Sequence, residues 1–493
     1  MANKPNIILI FPDQHRGDTI GCVGHPAVHT PNLDRLAAEG VNFGRCSTNS
    51  PLCMPARASL ITGQYVNEHG VWNNAVEANR IGPSHVRNIR DTGYHTAVIG
   101  KTHLYRHQGA GHTNNHVQEL KDWGYEDTHE LTGPLASIAV DSPYTDFLTE
   151  KRLINVHREH LRTYVRGLAR RYLHPWEEPP TLLPTEDHLD MYTARKSVEW
   201  IQNYKGRKPF YLQICFPGPH DPFDSPAEYR AMYKPEDMPL AIMEKPQPPV
   251  SPQLEPFLEL SKLDDMTQAH NQVMRTYYYA KVTLIDEGIG HILKALEERG
   301  WMENTWIIYT SDHGEMLGDH RLSHKMVFYE GALNIPCIIR PPGGVNGWKC
   351  NALTDQLDIA ASLLDIAGAE RLEGSDGRSL IPQIKAGPDS PGAQQGKEVV
   401  FSELAGYSMA RTERYKMAVF TETRQPVELY DMENDPNELR NLVNDPSTEK
   451  VRKELLNDHL SRLLSHMDEA KFKVFGERRE EEEAILRRFA TPE

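Results

Sequence analysis

The sequence predicts an α/β fold in which a large, mainly parallel mixed sheet is flanked by helices and followed by a small antiparallel sheet. Continuous apolar runs at residues 6–11 and 304–310 are typical of strands buried on both faces of a parallel sheet. Residues 274–298 have the amphipathic spacing of one long helix, and Gly300 follows them. Short alternating segments near the C-terminus predict the antiparallel sheet: residues 399–404, 407–412, 415–420 and 427–430.

The change of pattern near residue 380 also predicts the domain organisation. We expect a large domain over residues 1–380 and a C-terminal subdomain over residues 381–493, with a linker rich in Gly, Pro, Ser and Gln at 387–396. Residues 335–340 are expected to form a further core strand. The last stretch, 476–489, is highly charged and predicts a solvated helix or tail, with a contact in a homo-oligomer as the alternative.

Composition excludes several classes of function. The chain has 493 residues, 39% of them hydrophobic, which is ordinary for a globular protein. Its formal net charge of −15 argues against nucleic-acid binding. No apolar run has the length of a membrane span, and the first strand begins too early for a secretory signal, so we expect a cytoplasmic protein without a membrane partner. The six cysteines show no disulfide spacing, and five of them are expected to be reduced, mostly buried thiols: Cys22, Cys46, Cys215, Cys337 and Cys350.

The most informative local feature is the run CMPARASLITG at residues 53–63. Pro55 suits the start of a helix, which would place Cys53 at a helix N-terminus, where free amide groups favour anions. The alternative is a buried structural thiol. The run resembles the sulfatase signature C-x-P-[SA]-R-x-x-x-L-T-G, with Gln64 where arginine is common. Residues 428–442 resemble the terminal element of the same family, so the resemblance spans nearly the whole chain.

This resemblance implies an alkaline-phosphatase-like sandwich fold and a nucleophile made after translation. In the sulfatase family the motif cysteine is oxidised to formylglycine by a separate formylglycine-generating enzyme. The resemblance carries that role to Cys53 and implies that Arg57 assists it. The expected substrate is a small-molecule or carbohydrate sulfate ester.

Two predicted strands each end in a pair of polar residues that suit a metal ion. Asp13 and Gln14 follow the first strand, and Asp312 and His313 follow the strand at 304–310. Ligands bind at the carboxyl ends of strands in open α/β sheets, so these pairs are expected to meet. The resemblance implies that they hold one divalent cation together with the modified Cys53. Carboxylate and amide oxygens favour Ca²⁺, and the imidazole makes Mn²⁺ the second choice.

Three further stretches resemble sulfatase elements that contact sulfate. They supply Lys101 and His103 in GKTHL, His220 in PHDPF, and Lys325 after the DHG motif. Asn74 is a weaker candidate for a sulfate contact. His320 and His324 lie in the same region as Lys325, but the pattern assigns them no role.

The family mechanism, carried to these residues, is an attack on sulfur by one hydroxyl of hydrated formylglycine. Arg57, Lys101 and Lys325 would stabilise the sulfuryl oxygens, and His220, with Lys325 as a second candidate, would protonate the leaving alcohol. A base such as His103 would then deprotonate the second hydroxyl, which expels sulfate and restores the aldehyde.

Two other functions remain open at this point. The D-Q and D-H pairs resemble those of the branch that contains phosphonate monoester hydrolases and choline sulfatases, so a phosphonate monoester or phosphodiester hydrolase with the same nucleophile is the first alternative. A non-catalytic homologue that binds sulfated ligands is the second.

Residues 151–180 form a basic segment that the family motifs do not explain. Six arginines at helical spacing predict a solvent-facing helix, with a lid over an anionic or sugar substrate as the alternative: Arg152, Arg158, Arg162, Arg166, Arg170 and Arg171.

Overall fold

The computed structural model describes residues 4–107, 111–169, 173–245, 247, 262–467 and 469–473. The charged stretch at 476–489 and two of the arginines, Arg170 and Arg171, lie outside the described residues. Within the described part of the chain, no helix combines the length and the apolar character needed to cross a bilayer.

The strands are β1 Asn6–Ile10, β2 Val41–Phe43, β3 Cys46–Ser47, β4 His95–Gly100, β5 Gly111–His112, β6 Asp127–Glu130, β7 Val140–Asp141, β8 Phe210–Cys215, β9 Thr305–Thr310, β10 Asn334–Ile335, β11 Cys337–Arg340, β12 Trp348–Cys350, β13 Thr354–Asp355, β14 Val400–Leu404, β15 Tyr407–Arg411, β16 Tyr415–Phe420 and β17 Pro426–Asp431.

The α-helices are α1 Pro31–Ala38, α2 Cys53–Thr62, α3 Val66–His69, α4 His85–Asp91, α5 Val117–Trp123, α6 Pro143–Glu150, α7 Ile154–Ala169, α8 Leu189–Asn203, α9 Ala227–Arg230, α10 Gln268–Glu298, α11 Glu330–Leu333, α12 Gln356–Ala367, α13 Ile381–Ala386, α14 Glu449–Glu454 and α15 Ser461–Leu464. A π-helical stretch, Leu455–Leu460, joins α14 to α15.

The predicted large sheet is confirmed. It has eight strands in the order β12-β2-β11-β9-β1-β8-β4-β6. The five strands from β9 to β6 are parallel, whereas β11 runs antiparallel to both β9 and β2. The sheet is therefore mixed but mainly parallel around its centre, where β1 lies between β9 and β8.

Both faces of the sheet are covered, because successive residues of β1 belong to two different cores. Ile7 and Leu9 pack into one apolar cluster, and Ile8 and Ile10 pack into another on the opposite face. All four are completely buried. Helix α10 lies on the second face against α8 and α1. This double cover explains why β1 is a continuous apolar run.

One predicted strand is interrupted. The run 335–340 divides at Pro336, which has no backbone N–H to donate to a sheet. Before this proline, β10 pairs with β3 in a small three-stranded sheet, and after it β11 joins the large sheet.

The predicted antiparallel C-terminal sheet is also confirmed, with strand order β14-β15-β16-β17. Its Leu404 and Tyr407 pack in one apolar cluster with Leu52 and Trp72 from the start of the chain. This cluster joins the sheet to the segment that carries Cys53. The division of the chain at residue 380 stays a prediction.

The basic segment forms α7, and this helix has one packed face. Leu161 and Tyr164 are buried, whereas the Arg162 and Arg166 side chains are 41% and 57% exposed. The helix is therefore solvent-facing along its arginine side only. Its alternative role as a lid stays a prediction.

Candidate active site

Four neighbouring strands deliver predicted site residues to one edge of the sheet. The strands β9, β1, β8 and β4 are adjacent and parallel, so their carboxyl ends lie together. The chain leaves these ends towards Asp312 and His313, Asp13 and Gln14, His220, and Lys101 respectively.

Two glycines permit the close approaches that this edge requires. Gly100 ends β4 with φ of +108°, and a Cβ atom there would lie 1.9 Å from the backbone oxygen of Cys215. Gly314 follows His313, and a Cβ atom there would lie 2.0 Å from the backbone oxygen of Gly331. Glycine is therefore needed in both the GK and DHG motifs for steric reasons.

Cys53 is the first residue of α2, as the sequence predicts, and its side chain is buried. The helix begins earlier than expected, because Pro55 is its third residue and not its first. The side-chain oxygen of Asn74 accepts a hydrogen bond of 3.0 Å from the backbone N–H of Met54. Asn74 thus caps this end of the helix beside Cys53 with its oxygen, which leaves its amide NH₂ as the group available to a substrate.

Cys53 lies within a compact group of potential metal ligands. One donor atom from each of Asp13, Cys53, Asp312 and His313 lies within 4.8 Å of the others, and all four residues are buried. The Cys53 Sγ is 3.1 Å from His313 Nε2 and 3.7 Å from Asp13 Oδ1. Among the described residues this is the one cluster of His, Cys, Asp and Glu compact enough for a metal ion.

The protonation of His313 suits metal binding. Its Nδ1 lies 2.9 Å from the backbone oxygen of Gly314, so Nδ1 carries the proton and donates it. Burial lowers the pKa of His313, which keeps the ring neutral. The lone pair on Nε2 therefore faces Cys53 and the two carboxylates.

Arg57 supplies a buried positive charge to the two aspartates. Its Nη2 lies 3.1 Å from Asp13 Oδ2 and 2.8 Å from Asp312 Oδ2. Although burial alone would lower the pKa of Arg57, Asp312 and Asp13 raise it. The guanidinium thus stays charged and bridges the carboxylates that follow two adjacent strands.

Two lysines add further positive charge. Lys101 Nζ lies 2.5 Å from Asp13 Oδ2, and Lys325 Nζ donates to Gln14 Oε1. Burial alone would lower the pKa of Lys325, but Cys53 and Asp13 raise it. Burial alone would likewise raise the pKa of Asp13, yet Lys101 and its other cationic neighbours hold it well below its usual range. The pocket therefore contains fully ionised groups of both signs.

His220 is attached to the site by a backbone hydrogen bond, and its ring is oriented by Asp221. Its backbone N–H donates to the backbone oxygen of Asp13, and its ring Nδ1 lies 2.7 Å from the backbone oxygen of Asp221. Asp221 Oδ1 is also 3.1 Å from His220 Nδ1 and 3.3 Å from His324 Nδ1. The OH of Tyr164 in α7 donates to Asp221 Oδ2 at 3.4 Å.

His103 lies close enough to Lys101 to be affected by its charge. The residue is partly buried, and its Nδ1 is inaccessible to solvent and has no hydrogen-bond partner in the described part of the chain. The ring centroid lies 5.1 Å from that of His107, and His107 Nε2 lies 3.2 Å from Glu130. Burial and the charge of Lys101 hold the pKa of His103 well below its usual range, so the ring is neutral.

The structure brings most of the sequence-predicted residues into direct contact with one another. The connected set is Asp13, Gln14, Cys53, Arg57, Lys101, Asp312, His313 and Lys325. Asn74, His103 and His220 lie around this set. His320 lies outside this set. Its ring centroid is 4.3 Å from that of Tyr329, and its Nδ1 is hydrogen-bonded to the backbone oxygen of Glu244.

Two buried acids of the site were missed by sequence reasoning. Asp221 lies inside the PHDPF motif, and Glu315 directly follows DHG. Their positions beside motif residues were the available signal. Their partners, however, lie on segments that are distant in sequence.

The comparisons with known proteins agree with this geometry. The family model described as sulfatase matches residues 5–369, and one described as N-sulphoglucosamine sulphohydrolase, C-terminal, matches residues 318–466. An arylsulfatase of Clostridium perfringens (strain 13 / Type A) is 30% identical over 482 residues, which cover 94% of each chain. A choline-sulfatase of Rhizobium meliloti (strain 1021) is 28% identical, covering 90% of this chain and 83% of its own.

A solved structure extends the likeness to the fold. The phosphonate monoester hydrolase of Agrobacterium radiobacter superposes with a TM-score of 0.75 at 26% identity, covering 94% of this chain and 96% of its own. The sulfatase match covers most of the chain and includes every residue of the site described above. This chain therefore belongs to the sulfatase family, the sulfuric ester hydrolases of the alkaline phosphatase superfamily.

Proposed function

We propose that this sulfatase cleaves a sulfate monoester through a formylglycine made from Cys53, assisted by one divalent cation. The observation that carries the proposal is the position of Cys53. Its Sγ lies at the N-terminus of α2, within 4.8 Å of donor atoms from Asp13, Asp312 and His313.

The donor set fits a divalent cation. Two carboxylates and a neutral imidazole converge, and the amide oxygen of Gln14 lies against Lys325 at the same edge. We assign Asp13, Gln14, Asp312, His313 and the modified residue 53 as ligands. Ca²⁺ is the first choice because oxygen donors dominate, and Mn²⁺ is the second because of the imidazole. A cation bound here would stabilise negative charge near the nucleophile.

Formylglycine would supply a hydrated aldehyde, of which one hydroxyl attacks sulfur and the other allows sulfate to leave. The chain's own cations complement that chemistry. Arg57, Lys101 and Lys325 surround Asp13 and Cys53 and would bind the sulfuryl oxygens as negative charge develops on them.

His220 is the group that we assign to the leaving alcohol. Its Nδ1–H donates to the backbone oxygen of Asp221, which leaves Nε2 to hold or deliver a proton. His103 is assigned as the base, because its Nδ1 has no hydrogen-bond partner in the described part of the chain and would be able to accept a proton from the nucleophile. Asn74 would offer its amide NH₂ to sulfate, because its oxygen is occupied by the backbone of α2.

The substrate that we propose is a small-molecule or carbohydrate sulfate ester, and the proposed macromolecular partner is a formylglycine-generating enzyme that binds transiently. The relatives include an N-acetylglucosamine-6-O-sulfatase of Bacteroides thetaiotaomicron, 27% identical over 485 residues, which supports a sugar sulfate. We place the reaction in the cytoplasm, as expected from the sequence.

The modification is tested by the mass of the tryptic peptide that contains Cys53, prepared from the native host. Conversion of the thiol to an aldehyde should lower the mass by about 18 Da. The peptide that contains Cys350 is the internal control, because this buried cysteine lies outside the site and should keep its thiol mass. An unmodified Cys53 peptide from active enzyme would remove the proposed nucleophile.

A phosphonate monoester hydrolase remains the second candidate because of the Gln14 and His313 ligands and the fold of the Agrobacterium enzyme. Comparison of initial rates on an aryl sulfate and the matching aryl phosphonate separates the two functions. We expect kcat/KM to be at least about 10-fold higher for the sulfate, equivalent to about 1.4 kcal/mol of transition-state discrimination. A preference for the phosphonate would reverse the assignment.

A further inference from the structure

The side-chain amide of Gln14 is held at both ends. Lys325 Nζ donates to its oxygen, Oε1, and its nitrogen, Nε2, donates to Glu315 Oε2. Gln14 and Glu315 have no exposed surface. The backbone N–H of Gln14 also donates to Asp312 Oδ1 at 2.9 Å, which ties this residue to the cation pocket.

Glu315 is surrounded by donors. Its Oε1 accepts hydrogen bonds from the backbone N–H of Leu317 at 2.9 Å and from that of His324 at 2.5 Å. Its Oε2 accepts from Gln14. Both carboxylate oxygens are thus engaged as acceptors, and neither can donate to an amide oxygen.

This arrangement matters because the two ends of a glutamine amide have nearly the same shape but opposite hydrogen-bonding character. If the amide turned over, its NH₂ would face Lys325 and the cation, and its oxygen would face the carboxylate of Glu315. Both contacts would be repulsive. An acceptor-only partner at Nε2 therefore fixes Oε1 towards the cation pocket.

We infer that Glu315 is a positioning residue that orients the Gln14 amide so that its oxygen serves as a cation ligand. The inference rests on the cation site of the proposed function. Glu315 also accepts a hydrogen bond from the backbone of His324, the neighbour of Lys325. One buried carboxylate therefore contacts both the Gln14 amide and the segment that carries Lys325, the partner of the amide oxygen.

The test is a double-substitution cycle with Glu315→Gln, Gln14→Glu and the double variant. In Glu315→Gln, the amide at position 315 has only one oxygen. If that oxygen accepts from the backbone N–H groups of Leu317 and His324, its NH₂ faces the NH₂ of Gln14; if the amide turns over, its NH₂ faces the backbone N–H groups. We expect cation affinity to fall at least about 10-fold, as for other groups that orient a ligand.

The double variant exchanges the two groups. The amide introduced at position 315 can donate its NH₂ to the carboxylate introduced at position 14, while its oxygen accepts from Leu317 and His324. The carboxylate at position 14 then presents its second oxygen to the cation. The substitution Glu315→Gln should therefore weaken binding in the wild-type background but strengthen it in the background of Gln14→Glu. Loss of negative charge alone would weaken binding in both backgrounds, so the reversal of sign identifies positioning.

Binding of Ca²⁺ and of Mn²⁺ to metal-free full-length protein is measured by equilibrium dialysis, and thermal unfolding checks the fold of each variant. Asp312→Asn is the control that assigns the bound ion to this pocket. If Glu315→Gln does not fold, Gln14→Glu compared with the double variant still measures the predicted gain. Wild-type affinity in a folded Glu315→Gln, or no gain in the background of Gln14→Glu, would overturn the role of Glu315 but leave the cation site standing. Failure of the wild-type protein to bind either ion would overturn both.

Discussion

Replacement of Cys53 by serine is expected to abolish steady-state turnover, with a fall in kcat on the order of 10⁴-fold or more. Serine offers a single hydroxyl in place of the two of hydrated formylglycine. After one attack on sulfur, the sulfated side chain would have no second hydroxyl with which to expel sulfate. At most one equivalent of alcohol should therefore be released per enzyme molecule. The fold should persist, because serine is compatible with the first position of α2.

The measurement combines single-turnover release of a phenol from an aryl sulfate with the intact mass of the protein afterwards. We expect the mass of Cys53→Ser to rise by one sulfuryl group. Cys350→Ser is the matched control, because Cys350 is equally buried but its Sγ contacts the backbone of Ala393, away from the site. Multiple turnovers by the Cys53→Ser protein would mean that the second hydroxyl is not required.

The strands of the large sheet could be predicted because burial on both faces leaves an uninterrupted apolar run. The predicted segments 6–11 and 304–310 correspond to β1 and β9 within one residue at each end. Helix ends were harder to place. The long helix begins at Gln268, where the Thr267 hydroxyl accepts from the backbone N–H of His270, and this polar first turn carries no apolar periodicity.

The proposed nucleophile and the candidate metal ligands could be predicted from the sequence motifs, because each residue lies directly beyond a strand or at the start of a helix. The buried acids that contact Gln14 and His220 could not be predicted. Glu315 lies beside the Gln14 amide only because the fold brings the segment of Lys325 against Gln14. Asp221 likewise contacts His324 only in the folded chain. Such pairings depend on tertiary structure and leave no periodic pattern in the sequence.

Removal of the Arg57 guanidinium is expected to destabilise the cation-free protein by roughly 3–5 kcal/mol, because it leaves Asp13 and Asp312 buried without their shared counter-charge. Arg57→Met keeps most of the side-chain volume. Lys101 still contacts Asp13, so Asp312 should contribute most of the loss. A divalent cation bound between the carboxylates would replace part of the missing charge. Addition of Ca²⁺ should therefore restore more stability to the variant than to the wild-type protein.

The free energy of unfolding is measured by urea titration in EDTA and again in excess Ca²⁺. Arg462→Met is the matched control, because Arg462 pairs with Asp376 at the surface and its removal should change stability by less than about 1 kcal/mol.

The pH dependence of this stability difference has a definite sign. In the wild-type protein, neighbouring cations hold the pKa of Asp13 below its usual range, so its contribution to stability is present above pH 3.8 and is lost as the pH falls. Without Arg57 the buried Asp13 carboxylate should take up a proton at higher pH, so the difference in stability between variant and wild type should shrink as the pH is lowered from neutral. A difference no larger than that of Arg462→Met, or one that grows towards acid pH, would show that Arg57 does not balance these carboxylates.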